Sequence, residues 1–152
     1  MLTVRPACAA DAPAIRACAR DAYAQYIPQI GPHIPPMDAD FEGDIATKSV
    51  HVAHIDGTFA GYIIFYPQGP DMLLENVAVT TPGQGIGPRL IAVCEDAARA
   101  QDIARVILYT NIHMTGPRAL YPRLGYVETD RRSENGFDRV YFAKTLADEL
   151  AD

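Results

Sequence analysis

The sequence predicts an α/β domain, with an antiparallel meander in its first half and a strand, helix, strand crossover at its centre. Three observations carry that prediction. Apolar alternation of strand type and 3.6-residue periodicity follow one another along the chain, with no internal repeat and no low-complexity tract. Two dipeptides, Asp56-Gly57 and Asn135-Gly136, each separate a pair of β-forming runs. The run MLLENVAV, Met72 to Val79, passes through the glycine-rich segment TTPGQGIG into a long helical pattern.

Each element has a local reason. Leu2 to Arg5 is a short strand, and Asp11 is placed to cap a helix reaching about Tyr26, with Pro13 tolerated in its first turn. Ile15, Cys18, Ala19 and Ala22 form its buried stripe. The segment IPQIGPHIPPM, Ile27 to Met37, holds four prolines and reads as a stiff loop, either a connector or one wall of a cleft. A short helix follows over Asp38 to Thr47. Val50 to Ile55 and Thr58 to Tyr66 form a hairpin, and Met72 to Val79 is the next strand. Pro88 to about Gln101 is helical. The nearly continuous apolar run of Arg105 to Thr110 predicts a strand covered on both faces. A helix containing Arg118 to Leu124 ends at Gly125, and Tyr126 to Arg131 with Arg139 to Thr145 closes the domain as a hairpin.

Bulk properties narrow the function classes. At 152 residues and 49% hydrophobic, residues 1–152 suit one domain that buries roughly two-thirds of its unfolded surface. A net charge of -6 argues against nucleic acid as a partner, because gripping phosphates requires clustered Lys and Arg. No apolar stretch approaches the ~20 residues that span a bilayer, and the first twenty residues carry no signal-like hydrophobic block, so a cytoplasmic protein is expected. Cys8, Cys18 and Cys94 form no CxxC pair and have no metal-ligand spacing; buried free thiols and no metal are expected.

The glycine segment points to an anion. Gly83, Gly85 and Gly87 alternate where a strand hands over to a helix, and a turn of that kind exposes backbone N–H groups at the positive end of the helix dipole. Pro88 fits the first helical turn, and Arg89 adds positive charge beside it. A mononucleotide P-loop would need a Gly-Lys pair that this segment lacks, and a dinucleotide fingerprint belongs in the first strand-to-helix turn rather than in mid-chain.

The chain resembles the GCN5-related N-acetyltransferases, the GNAT family, nearly end to end. LLENVAV followed by GQGIG and a helix resembles that family's acetyl-coenzyme A motif; YTN at 109 to 111 and ALYPRLGYVETDRR at 119 to 132 resemble its second motif, in which an Asn ends a strand and a Tyr opens the phrase YxxLGY. There are departures: Pro82 stands where the family has Gln or Arg, with Gln84 able to replace it only after a register shift, and Met114 replaces a second Asn. The resemblance implies a mixed, mostly antiparallel sheet splayed between its fourth and fifth strands, helices on both faces, and acetyl-CoA as co-substrate in the opening. It further implies that main-chain groups of Val77, Ala78 and Val79 hold the acetyl-pantetheine arm. Gly83, Gln84, Gly85, Ile86, Gly87, Pro88 and Arg89 would surround the pyrophosphate, and Asn111 would bond the pantetheine.

The chemistry of moving an acetyl group from a thioester to a primary amine asks for a neutral nucleophile, a donor to the carbonyl oxygen as it becomes anionic, and a proton for the departing thiolate. A β-strand N–H, that of Val77, is placed to polarise the carbonyl. Glu75, two residues earlier, is the possible base, acting directly or through water, or else an orienting group for the amine. Tyr121, the Tyr of YPRLGY, is the general acid by the resemblance; an ordinary phenol, titrating near ~10, is protonated at neutral pH.

Other readings stand beside this one. His51 and His54, three apart on a strand, lie on opposite faces and make no metal pair. His33 and His113 fall in or near loops, while Glu42 and Asp44 could attract an amine or form a solvated helix face. A small-molecule amine is placed ahead of a peptide amino terminus as acceptor, an aminoglycoside remains open, and a homodimer is possible by family habit alone. A non-catalytic acyl-CoA-binding module that senses or recruits partners is the alternative, with a generic nucleotide-phosphate binder behind it.

Overall fold

β-Branched and aromatic runs separated by short turns build a seven-stranded sheet in the order β1-β2-β3-β4-β5-β7-β6, from β1 (Leu2–Pro6), β2 (Ser49–Ile55), β3 (Thr58–Gln68), β4 (Asp71–Val79), β5 (Arg105–Asn111), β6 (Val127–Glu134) and β7 (Phe137–Thr145). This computed structural model describes residues 1–146; the rest of the expected domain, 147–152, lies outside the described residues. All neighbouring strands run antiparallel except β4 and β5. Both hairpin dipeptides adopt the left-handed pair that matches strand twist, at Asp56 (φ 50°) and Gly57 (φ 85°) and at Asn135 (φ 52°) and Gly136 (φ 82°).

Helices cover both faces. On one, α4 (Ile86–Ala100) lays Leu90, Ile91, Cys94 and Ala98 on Ile63, Phe65, Met72 and Leu74. On the other, α1 (Ala12–Ala24) and α3 (Phe41–Thr47) press Ile15, Cys18, Ala19 and Phe41 against Val50, Val52, Tyr62 and Ile64. The Phe41 and Tyr62 rings meet edge-on, 5.9 Å apart at 75°. Removing such a core side chain, as in Leu90→Ala, would cost about 2–5 kcal/mol.

Several expectations change. The proline-rich segment is not all loop: α2 (Ile27–Ile30) and a 3₁₀ turn at Pro35–Asp38 each place a proline in the first turn, where no intrahelical N–H bond is lost. Asp11 does not cap α1 with its side chain. Its carboxylate reaches back to the Cys8 N–H (2.8 Å) and the Arg5 guanidinium (2.8 and 2.9 Å). β5 is not covered on both faces, since Tyr109 and Arg105 are exposed while Val106, Leu108 and Thr110 are buried. Cys8 is exposed, whereas Cys18 and Cys94 are buried.

Two irregularities open one side of the sheet. β4 and β5 pair only at Met72–Val106 and Leu73–Ile107, then diverge, so among the described residues β4 beyond Leu73 has no strand neighbour on that side. The β3–β4 register also slips between Ile64–Asn76 and Phe65–Leu74, which leaves Glu75 as the extra residue of a β-bulge. The bulge switches faces. Met72 and Leu74 point to the α4 side, but beyond Glu75 it is Val77 and Val79 that do so, and Ala78 turns to the α1 side.

Candidate active site

The diverging strands open a cleft of about 280 Å³. Of the residues singled out in the sequence, Asp44, Glu75, Val77, Asn111, Met114 and Tyr121 line it, and Ile30, Ile34, Pro35 and Pro36 make the proline-rich segment one of its walls; the glycine segment does not line it. That segment forms a separate corner at the α4 N-terminus.

The corner is made of main chain. Thr80 N–H donates to the Ala60 carbonyl at 2.9 Å and ties down the end of β4. Gly83 (φ 82°) and Gly85 (φ 75°) then take left-handed conformations, and Gly85 is the α4 N-cap. A Cβ at either would meet nothing within 4 Å, so what glycine supplies is backbone direction rather than clearance. The first capture of α4 is Arg89 N–H to the Gly85 carbonyl at 3.3 Å. The N–H groups of Gly83, Gln84, Gly85, Ile86 and Gly87 have no protein acceptor among the described residues. Gln84, Pro88 and Arg89 belong to the same segment, and helix α4 begins at Ile86, two residues earlier than the sequence predicts.

The cleft is made of side chains. α5 (Thr115–Arg123) delivers Tyr121, and Pro122 sits inside its last turn without breaking it. Tyr121 main-chain oxygen accepts from Leu124 and Tyr126, both at 3.0 Å, and Gly125 (φ 96°) turns the chain away. The ring is wedged between Tyr126 (5.8 Å) and Phe142 (5.7 Å). Its hydroxyl has no hydrogen-bond partner among the described residues although the residue is only 6% exposed. Burial, with the neighbouring Cys94, pushes the phenol well above its ordinary range.

On the β4 wall the bulged Glu75 meets Lys48, which sequence reasoning did not single out. Lys48 Nζ donates to Glu75 Oε1 at 2.8 Å, lies 3.2 Å from Asp44 Oδ1, and stands 4.7 Å from the centre of the Tyr66 ring. Burial works against the Lys48 charge, but the two carboxylates outweigh it and raise the Lys48 pKa. Glu75 keeps its second oxygen free of partners among the described residues. Next to it, buried Asn76 accepts from Tyr23 (2.7 Å) and donates to Tyr62 (2.8 Å), locking α1 to the sheet under the cleft.

The opposite wall comes from β5 and β7. Asn111 faces Arg139 across the β5–β7 ladder. Its Oδ1 accepts from the His113 N–H at 3.0 Å, which leaves the amide NH₂ as its free donor. Met114, the departure from the family phrase, is buried and accepts from Thr110 through its sulfur at 3.3 Å. Glu42 lies outside the cleft, paired with Arg16 at 2.7 Å, and His33 and His113 are exposed and do not line it. His51 stacks on Phe65 and His54 packs edge-on to Phe59. Among the described residues no group of three His, Cys, Asp or Glu could hold a metal, and no helix is long and apolar enough to cross a membrane. Lys48, Tyr23, Asn76 and Arg139 could not be picked out from sequence, because each reaches the cleft only through contacts distant in the chain.

Arranged in this way, the site can hold an anion on main-chain donors, an extended chain along the open side of β4, and a positively charged group near Glu75 and Asp44. Known proteins share the arrangement of the chain. PaiA N-acetyltransferase from Thermoplasma acidophilum, solved in complex with coenzyme A, superposes with a TM-score of 0.81 at 14% identity, over 95% of this chain and 99% of that one. The ribosomal-protein-S18-alanine N-acetyltransferase from Escherichia coli gives 0.75 at 21% identity, over 96% and 94%. IAA acetyltransferase from Bacillus cereus gives 0.73 at 17%, over 96% and 100%. A search of curated protein sequences finds no match. The family model described as "Acetyltransferase (GNAT) family" matches residues 16–126, more than half of the chain, and together with the splayed sheet it establishes that this protein belongs to the GNAT family of acetyl-CoA-dependent acetyltransferases.

Proposed function

We propose that the protein transfers the acetyl group of acetyl-CoA to a primary amine by direct attack, with Tyr121 as general acid. The single observation that carries this is the Tyr121 hydroxyl, without a hydrogen-bond partner among the described residues, on a largely buried ring that lines the same cleft as the bulged Glu75. The unpaired amides of Gly83 to Gly87 hold the pyrophosphate, with Arg89 adding charge beside them. Similarity to a fold solved with coenzyme A supports the same donor.

The steps follow from the wall chemistry. β4 has main-chain groups unpaired beyond Leu73, so the pantetheine arm lies along Val77, Ala78 and Val79 as an added strand, and Asn111 donates to it from the far side. The N–H of Val77 polarises the thioester carbonyl. Glu75 orients the amine with its free oxygen and takes the proton through water while the C–N bond forms. As the C–S bond breaks, Tyr121 gives its proton to the thiolate and is restored from solvent. A phenol raised by burial is fully loaded with its proton but is a weaker acid than a thiol titrating near ~8.5, so transfer to the thiolate is uphill and is drawn forward by reprotonation of the phenolate from solvent.

Thiol release from acetyl-CoA, measured over a panel of small amines, aminoglycosides and peptides with mass detection of the acetylated product, tests the proposal. Turnover of at least one amine above thioester hydrolysis is expected. Tight coenzyme A binding with a wholly dead panel would instead make the protein a binding module.

A further inference from the structure

We infer that the acceptor carries a carboxylate as well as its amine, and that Arg139 binds that carboxylate. This rests on the N-acetyltransferase reading and names the substrate class of the same site. The cleft has two poles. Asp44 and Glu75 lie on the wall built by α3 and β4, sharing one cation, Lys48. Arg139 lies on β7, on the other side of the open β4–β5 seam.

Arg139 differs from the other half-buried arginines. Arg16 pairs with Glu42 and Arg99 with Asp96, and Arg118 donates to the Ile112 carbonyl at 2.7 Å. Among the described residues Arg139 has neither a carboxylate nor a carbonyl partner, although it is partly withdrawn from water. Aromatic side chains hold it in place instead. The guanidinium carbon stands 4.5 Å from the Tyr109 ring centre and 6.0 Å from that of Phe137, and the Tyr141 hydroxyl is a polar neighbour. A guanidinium resting on a ring face keeps N–H donors clear at its edge, and their fork matches the two oxygens of a carboxylate. A cation with no direct carboxylate partner among the described residues, fixed on the wall of a cleft whose opposite wall is acidic, suits a zwitterion whose ammonium approaches Glu75 while its carboxylate meets Arg139. A peptide amino terminus, whose first carbonyl is an amide, offers Arg139 no charge at that point.

The test uses matched trios: each free amino acid, its α-carboxamide and its decarboxylated amine, assayed with acetyl-CoA by thiol release and product mass. For at least one trio, kcat/KM for the acid is expected to exceed those of the amide and the amine by about ten- to a hundredfold, the scale of a charge-assisted hydrogen bond. Arg139→Gln should remove that preference by raising KM for the acid, with KM for acetyl-CoA steady. Arg139→Lys, which keeps charge but loses the fork, should fall between. Equal or better use of amides or amines, a preference that survives Arg139→Gln, or a raised KM for acetyl-CoA in that variant overturns the inference and leaves N-acetyltransfer standing. Absence of turnover with any amine at all overturns the reading beneath it.

Discussion

The glycine corner and the side-chain cleft sit at two ends of one opening in the sheet, yet they are built by opposite means. At the corner, left-handed Gly83 and Gly85 aim main-chain N–H groups outward, with few side chains in the way. In the cleft, backbone geometry matters mainly at the Glu75 bulge, and the chemistry is carried by side chains from α1, α3, α5, β4, β5 and β7. The difference teaches how a transferase of this shape divides its work. On the proposed function, a donor common to many enzymes would be held by main-chain groups that do not depend on side-chain identity, while the acceptor would be read by residues that can vary without disturbing the donor.

The largest effect expected from breaking this division is at Tyr121. Tyr121→Phe keeps the ring between Tyr126 and Phe142 and deletes only the unpartnered hydroxyl, so kcat should fall by about 10²–10⁴ with thermal stability and coenzyme A affinity nearly unchanged. Weaker coenzyme A binding at unchanged kcat would move Tyr121 to the donor end. Next comes Glu75→Gln. Lys48 retains Asp44, so the fold should hold, and kcat/KM for the amine should drop about ten- to a hundredfold as read by steady-state kinetics. An unaltered amine KM and kcat would show that the acidic wall does not meet the acceptor.

Gly85→Ala probes the other end. There is room for the methyl group, but the left-handed φ costs about 1–2 kcal/mol. If the altered amide direction reaches the pyrophosphate, calorimetry should show coenzyme A weakened by about tenfold, while the amine KM stays put. An unchanged Kd would locate the cradle elsewhere. The smallest effect is a predicted absence. Burial raises the Tyr121 phenol above its ordinary value of about 10, so the proposed general acid stays protonated throughout the range below that pH. The kcat profile should therefore show no alkaline limb between about pH 8 and 10 that disappears in Tyr121→Phe; such a limb would mean the phenol titrates there.

Much of the fold was legible because its signals are local. The Asp56-Gly57 and Asn135-Gly136 turns, the helix after the glycine segment and all seven strands lie where periodicity and turn chemistry put them, with shifts of a residue or a few at their ends. The misreadings were also local. Asp11 had a choice between capping α1 and pairing with Arg5, and sequence shows only the first option. The apolar run of β5 signalled burial on both faces, but the strand stands beside an opening that leaves Tyr109 exposed.

By itself the sequence determined the elements, their order and the glycine corner, since a left-handed turn feeding a helix depends on residues next to one another in the chain. It also named Tyr121 and Glu75 as residues of interest through the motif that contains them. Only the tertiary structure decided where β4 leaves β5, that Glu75 is a bulge bound to Lys48, and that Arg139 faces the same cleft with no carboxylate partner among the described residues. Those facts join residues as far apart as Lys48, Glu75 and Arg139, and such contacts are set by packing of the whole sheet against its helices rather than by any local pattern.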